Sequence, residues 1–292
     1  MCDDATLDDM VEYALRNKGL SRRELGTLAL GTSLAFALPR VANAMDTTES
    51  EVEIKTPDGT ADAYFVHPAS GKHPAVLVWP DIFGLRPAFR QMGKRLAESG
   101  YSVLVVNMFY RTKKAPTAPE KADFDDPATR DLLMGLKATL NAGTSRTDAR
   151  AFIPWLDGQA SVDTKRKAGT TGYCMSGPIA FQTAAAVPDR IGAVATFHGG
   201  GLVTDQPDSP HLLIPQTKAR FLVAIAESDD KKQPDAKTVL RDAFAKAGRP
   251  AEVEVYAGAI HGWCPPDSAV YNAELAEKAW SRLLALLKEG LA

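Results

Sequence analysis

Short, nearly unbroken apolar runs alternate with amphipathic stretches through most of this chain, and no other feature limits its fold so tightly. Ala75–Trp79, Ser102–Val106, Ile191–Phe197 and Phe221–Ala226 are such runs. They suit parallel strands covered on both faces. Helical spacing fills the gaps. Phe89, Met92 and Leu96 share one face, with Gly100 as a stop; Val239, Leu240, Ala243 and Phe244 share another, closed by Gly248. Ala276, Trp280, Leu283, Leu284 and Leu287 mark a last amphipathic helix. The alternation predicts an α/β fold, a mostly parallel sheet flanked by helices. Ahead of it, Val52 and Ile54 alternate with charged residues, and Pro57-Asp58-Gly59 turns into Ala61–Val66. That pattern predicts an N-terminal antiparallel hairpin of half-exposed strands. Arg111–Asp126, rich in Pro, Lys and Asp, is expected to loop over one end of the sheet.

The first 44 residues read differently. Arg22-Arg23 precedes the uncharged apolar run Leu25–Leu38, and Ala42-Asn43-Ala44 follows. The run fits a signal-peptide core and is too short to span a bilayer. Residues 1–44 are therefore expected to be a twin-arginine-type export signal handled by export machinery. Residues 45–292 would form one periplasmic or secreted domain with no stable membrane anchor after processing. Asp3, Asp4, Asp8, Asp9 and Glu12 make the extreme N-terminus unusually acidic for such a signal. A net charge of −2 over 292 residues shows no basic excess for nucleic acid. No zinc-type spacing of Cys and His is present, so no metal is expected.

The chemistry points to Gly172-Tyr173-Cys174-Met175-Ser176-Gly177-Pro178. A nucleophile on a sharp strand-to-helix turn needs small flanking residues, and Gly172, Ser176 and Gly177 supply them. Pro178 suits the first turn of the following helix. Cys174 would then face a helix N-terminus, which favours the thiolate. On such a scaffold an acid and then a histidine should follow in chain order. Asp229, with Asp230 as its rival, lies just past the run Phe221–Ala226, and His261 lies past the strand around Val253–Tyr256. All three fall at strand C-terminal ends. Trp79-Pro80-Asp81-Ile82-Phe83-Gly84 ends an early strand, which makes the backbone N–H groups of Ile82 and Met175 the candidate oxyanion donors. His198-Gly199-Gly200-Gly201 looks like a lipase oxyanion motif but follows the nucleophile instead of preceding it, and is read as a loop wall near the site. Cys264 is either a packed thiol or a redox partner of Cys174.

Asp81-Ile82-Phe83-Gly84, Gly172-Tyr173-Cys174-Met175 and the Asp229/His261 pair resemble the dienelactone hydrolase (carboxymethylenebutenolidase) family, from about Val52 to the C-terminus. The resemblance implies an α/β-hydrolase fold, a Cys174-Asp229-His261 triad, no metal or organic cofactor, and a small ester or lactone substrate carrying a carboxylate. It further implies that Asp81 contacts and activates the thiol, and that Arg111 holds the substrate carboxylate. The sequence departs from the family where Asp81 replaces a usual Glu and Ser176 a usual Gly. Trp263-Cys264-Pro265-Pro266 stands where a second substrate-binding arginine is usual. Chemistry narrows the substrate further. A thiolate leaves more readily than an alkoxide, because an unperturbed thiol has a pKa of about 8.5. Activated esters and enol lactones are therefore expected to react, and plain alkyl esters to resist. Two other functions remain compatible with the fold: thiol redox through a Cys174–Cys264 disulfide, and binding of small carboxylates without turnover.

Overall fold

The computed structural model describes residues 38–119 and 122–292. Arg22-Arg23 and the apolar run up to residue 37 lie outside them. Eight strands form one sheet: β1 (Thr47–Thr56), β2 (Gly59–Pro68), β3 (Ala75–Trp79), β4 (Ser102–Val106), β5 (Ala168–Tyr173), β6 (Ile191–Phe197), β7 (Arg220–Ala226) and β8 (Ala251–Tyr256). Their order is β1-β2-β4-β3-β5-β6-β7-β8. The first two pairings of that order are antiparallel and the remaining five parallel. The expected α/β architecture with its N-terminal hairpin is the one found.

Helices α1 (Pro87–Glu98), α2 (Pro127–Ala138), α3 (Ala142–Asp157), α4 (Gly177–Ala186), α5 (Glu227–Lys232), α6 (Ala236–Ala247) and α7 (Ala273–Gly290) follow the strands. Side chains alternate across a strand, so β3 sends Leu77 and Trp79 to one face and Val76 and Val78 to the other. The first face packs under Leu133 of α2, Phe152 of α3, Phe181 of α4 and Phe244 of α6. The second packs under Phe89 of α1 and Leu283 and Leu287 of α7. Each fully buried Leu, Val or Phe contributes about 1.5–3 kcal/mol relative to exposure, which makes two-sided cover the main stabiliser of the sheet.

One expectation about the hairpin needs correction. Only β1 is half-exposed; β2 is largely buried because β4 pairs along its other edge and α1 covers it. The parallel strands run the same way, so Trp79, Tyr173, Phe197, Ala226 and Tyr256 all end at one edge of the sheet. Every candidate site residue except Arg111 follows one of those ends within five residues. Arg111 lies five residues past β4, at the same edge.

Candidate active site

Cys174 sits where β5 breaks into a single 3-10 turn, Cys174–Ser176, that runs on into α4. Its φ is +55°, a conformation that costs a non-glycine residue on the order of 1–2 kcal/mol. Such strain survives only where the surroundings over-determine it. Two glycines make the bend possible. A Cβ on Gly172 would lie 2.1 Å from the Ser176 carbonyl oxygen, and one on Gly177 would lie 2.8 Å from the Gly199 Cα. Ser176 holds the bend from the other side: its Oγ donates to the Pro80 carbonyl and lies 3.2 Å from the Met108 sulfur. That contact ties the turn to the loop after β3. The family's usual Gly would lack it.

His261 Nδ1 lies 2.9 Å from both carboxylate oxygens of Asp229. The His261 backbone N–H donates to Ser228 Oγ, so the segments after β7 and β8 are locked together. Asp229 stands in the first turn of α5, not in an open loop, and the rival Asp230 points away into an ion pair with Lys237 at 2.7 Å. His261 is 3 % exposed. Burial opposes a charge on it, but the Asp229 carboxylate and then Cys174 outweigh that cost and raise its pKa to about 10. Cys174 also hydrogen-bonds this imidazole. The three residues expected to converge are thus brought together.

The Ile82 N–H meets no backbone acceptor among the described residues, and the Met175 N–H opens a helical turn, where N–H groups lack an intrahelical partner. Both stand beside Cys174, one across the Ser176–Pro80 contact and one next in sequence.

Two expected roles meet other partners. Arg111 donates to Asp58 from Nε and one terminal nitrogen, and to Asp148 from both terminal nitrogens, at 2.6–3.0 Å. Its charge is spent on tying the loop after β4 to the hairpin turn and to α3. The resemblance gives Arg111 to a substrate carboxylate; here Asp58 and Asp148 occupy its guanidinium. Asp81, expected at the thiol, gives both oxygens to Arg86 at 2.6 and 2.9 Å and accepts the Phe83 N–H at 3.0 Å. Arg86, which the sequence did not single out, goes on to Asp267 at 2.6 and 2.9 Å.

His198, expected as a wall near the site, packs directly against the catalytic imidazole candidate. It is 1 % exposed, has φ +44°, and stands edge-on to His261 with ring centroids 5.0 Å apart. Trp263 and Tyr173 enclose it at 5.2 and 6.1 Å. Among the described residues, neither ring nitrogen has a hydrogen-bond partner. Burial first, and the neighbouring His261 charge second, push its pKa well below the usual histidine value. His198 is therefore a neutral imidazole that does not compete with His261 for a proton. The available signal was its place directly after β6, at the same sheet edge. Cys264 is a free thiol in a pocket with Tyr173, Phe197, Met92 and Leu283, and burial pushes its pKa well above the usual value. It packs; no disulfide joins it to Cys174.

Comparison with known proteins places the chain in a family. A protein of Methylorubrum extorquens named "Putative carboxymethylenebutenolidase" is 28% identical over 276 residues, covering 90% of this chain and 91% of its own. One of the same name from Escherichia coli K12 is 28% identical over 233 residues, covering 78% and 82%. Among solved structures, a "Putative Dienelactone Hydrolase" of Klebsiella pneumoniae superposes with a TM-score of 0.72 at 23% identity, covering 83% of this chain and 99% of that one. A dienelactone hydrolase-like promiscuous phosphotriesterase from metagenomic libraries superposes with a TM-score of 0.68 at 22% identity, covering 84% and 99%. The profile of the dienelactone hydrolase family matches residues 61–291, most of the chain. With its α/β-hydrolase sheet, this chain belongs to the dienelactone hydrolase family of ester- and lactone-opening hydrolases.

Proposed function

We propose that the chain cleaves activated esters or lactones through a thioester on Cys174, with His261 moving protons and Asp229 orienting it. The observation that carries this reading is the His261–Asp229 bond beside a strained, helix-facing Cys174. An imidazole whose charge is favoured by two acidic neighbours is suited to pair with a thiolate. In acylation the thiolate sulfur bonds the carbonyl carbon and the carbon–oxygen bond breaks. The departing oxygen takes the proton from His261. In deacylation water gives a proton to the now neutral His261 while its oxygen bonds the carbonyl carbon. The carbon–sulfur bond then breaks and the thiolate returns. The Ile82 and Met175 N–H groups would hold the oxyanion in both steps, each worth about 2.7–4 kcal/mol in comparable sites.

Leaving-group chemistry supplies the test. A 4-nitrophenyl ester should give a burst of nitrophenol and an acyl adduct located on Cys174 by intact mass and peptide mapping. The matching ethyl ester should react at least about 100-fold more slowly, because its tetrahedral intermediate expels the thiolate instead. Equal rates on the two esters, or an adduct elsewhere, would refute the thioester route.

The reading extends to export. Ala42–Ala44 is exposed and has no strand or helix, three residues ahead of β1. A peptidase could reach it without disturbing the sheet. Expressed in a bacterium with twin-arginine export, the protein should appear outside the cytoplasm with Met45 as its first residue. Arg22→Lys with Arg23→Lys should keep it inside at full length. Export unaffected by that double change would remove the twin-arginine assignment.

A further inference from the structure

Resting on the hydrolase reading, we infer that the acyl group this site accepts carries no carboxylate, so that its substrates are uncharged esters or lactones. The case starts from Arg86. All five of its N–H groups are taken: Nε by Asp267, one terminal nitrogen by Asp81 and the Gly84 carbonyl, the other by Asp81 and Asp267. A guanidinium saturated by two bidentate carboxylates has no fork left for a third. The cluster sums to one surplus negative charge. It spans the two loops that flank Cys174, since Asp81 directly precedes Ile82 and Asp267 lies six residues past His261.

The second arginine at this edge repeats the pattern. Arg111 faces Asp58 and Asp148, again two carboxylates to one guanidinium. The residues that directly follow Asp81 and Cys174 in these loops include the apolar Phe83 and Met175. Phe83 packs edge-on against Phe124 with centroids 6.4 Å apart, and Met175 and Phe83 are partly exposed. A substrate carboxylate would give up hydration here, meet surplus negative charge and find Arg86 and Arg111 already paired with two carboxylates each. A neutral acyl chain loses only water from apolar surface.

Among the described residues of the loop after β4, Lys113 is an ammonium to exclude. It lies in the loop after β4, is exposed, and donates to the Thr117 carbonyl. A carboxylate read by Lys113 would be held at the rim, so its contribution is tested separately.

The experiment uses two esters of the same size, 4-nitrophenyl butyrate and mono-4-nitrophenyl succinate, at pH 7.5 and low ionic strength. The neutral ester should have a kcat/KM about tenfold higher, a gap that added salt narrows, as expected for one unscreened charge nearby. Asp267→Asn should narrow the gap severalfold by raising the rate on the succinate ester alone, because it returns part of Arg86 to the site. A merely structural role for Asp267 would slow both esters equally and leave the ratio unchanged, which overturns the inference. So does equal or faster turnover of the anionic ester, including a preference that Lys113→Met abolishes. Turnover of neither ester would instead remove the hydrolase reading on which this one stands.

Discussion

Cys174→Ala is expected to remain folded and to lose ester hydrolysis by at least about 10⁴-fold in kcat. Removing the nucleophile of a triad leaves only what binding and the oxyanion donors supply, and comparable deletions cost about 10⁶ in kcat. The fold should survive because the bend does not depend on the sulfur. Gly172, Gly177 and the Ser176–Pro80 contact remain in place. The φ of +55° is no harder for Ala than for Cys. Two measurements separate chemistry from collapse. The melting temperature should change by only a few degrees, and no acyl adduct should form with a 4-nitrophenyl ester. A third reads the electrostatics directly. Cys174 helps raise the His261 pKa, so in the variant the imidazole should titrate lower, while Asp229 still holds it above what burial alone would allow. Hydrolysis surviving within tenfold of the parent would place the nucleophile elsewhere.

That outcome would also test how far the chain's alphabet can be read without coordinates. Ser102–Val106 and Ile191–Phe197 match β4 and β6 end to end, because strands covered on both faces leave an unbroken apolar signature. β5 leaves no such trace. Its sequence, Ala168-Gly169-Thr170-Thr171-Gly172-Tyr173, is small and polar because space is short: a Cβ on Gly169 would come within 2.7 Å of Leu287. Its position came from the turn that follows it. The depth of β2 was hidden because burial by β4 is a pairing across about 40 residues, while alternation reports only the local face. Arg111 and Asp81 show the same limit in the site. Their positions after β4 and β3 were legible, but the partners that absorb Arg111 lie 53 and 37 residues away. His198 lies 63 residues before the imidazole it packs against (261 − 198). Chain order and strand ends identify what can converge; which charges are already spent is a property of the packing.

Asp229→Asn probes the last of these, and its effect should depend strongly on pH. In the parent, burial disfavours the His261 charge, and Asp229 is the largest of the groups that reverse this. Without its negative charge the imidazole pKa must fall, and the imidazolium that partners the thiolate becomes scarce near neutrality. The amide can also turn its NH2 toward Nδ1 and favour the wrong tautomer. A loss of about 10³–10⁴ in kcat near pH 7 is expected, by analogy with the same change in serine triads. Above about pH 8 the thiol can ionise without help from the imidazolium, so part of the loss should be regained there. The parent should show no matching rise. Stability supplies the complementary sign. A folded His261 that titrates near 10 instead of 6.5 adds stability that is complete below 6.5 and is lost as pH climbs through about 10. The melting temperature of the parent should therefore exceed that of Asp229→Asn most clearly between about pH 5 and 6.5, and the difference should shrink toward pH 10. Parallel pH–rate curves for the two proteins would mean that Asp229 only fills space beside the imidazole. The charge on His261 would then have to come from another neighbour.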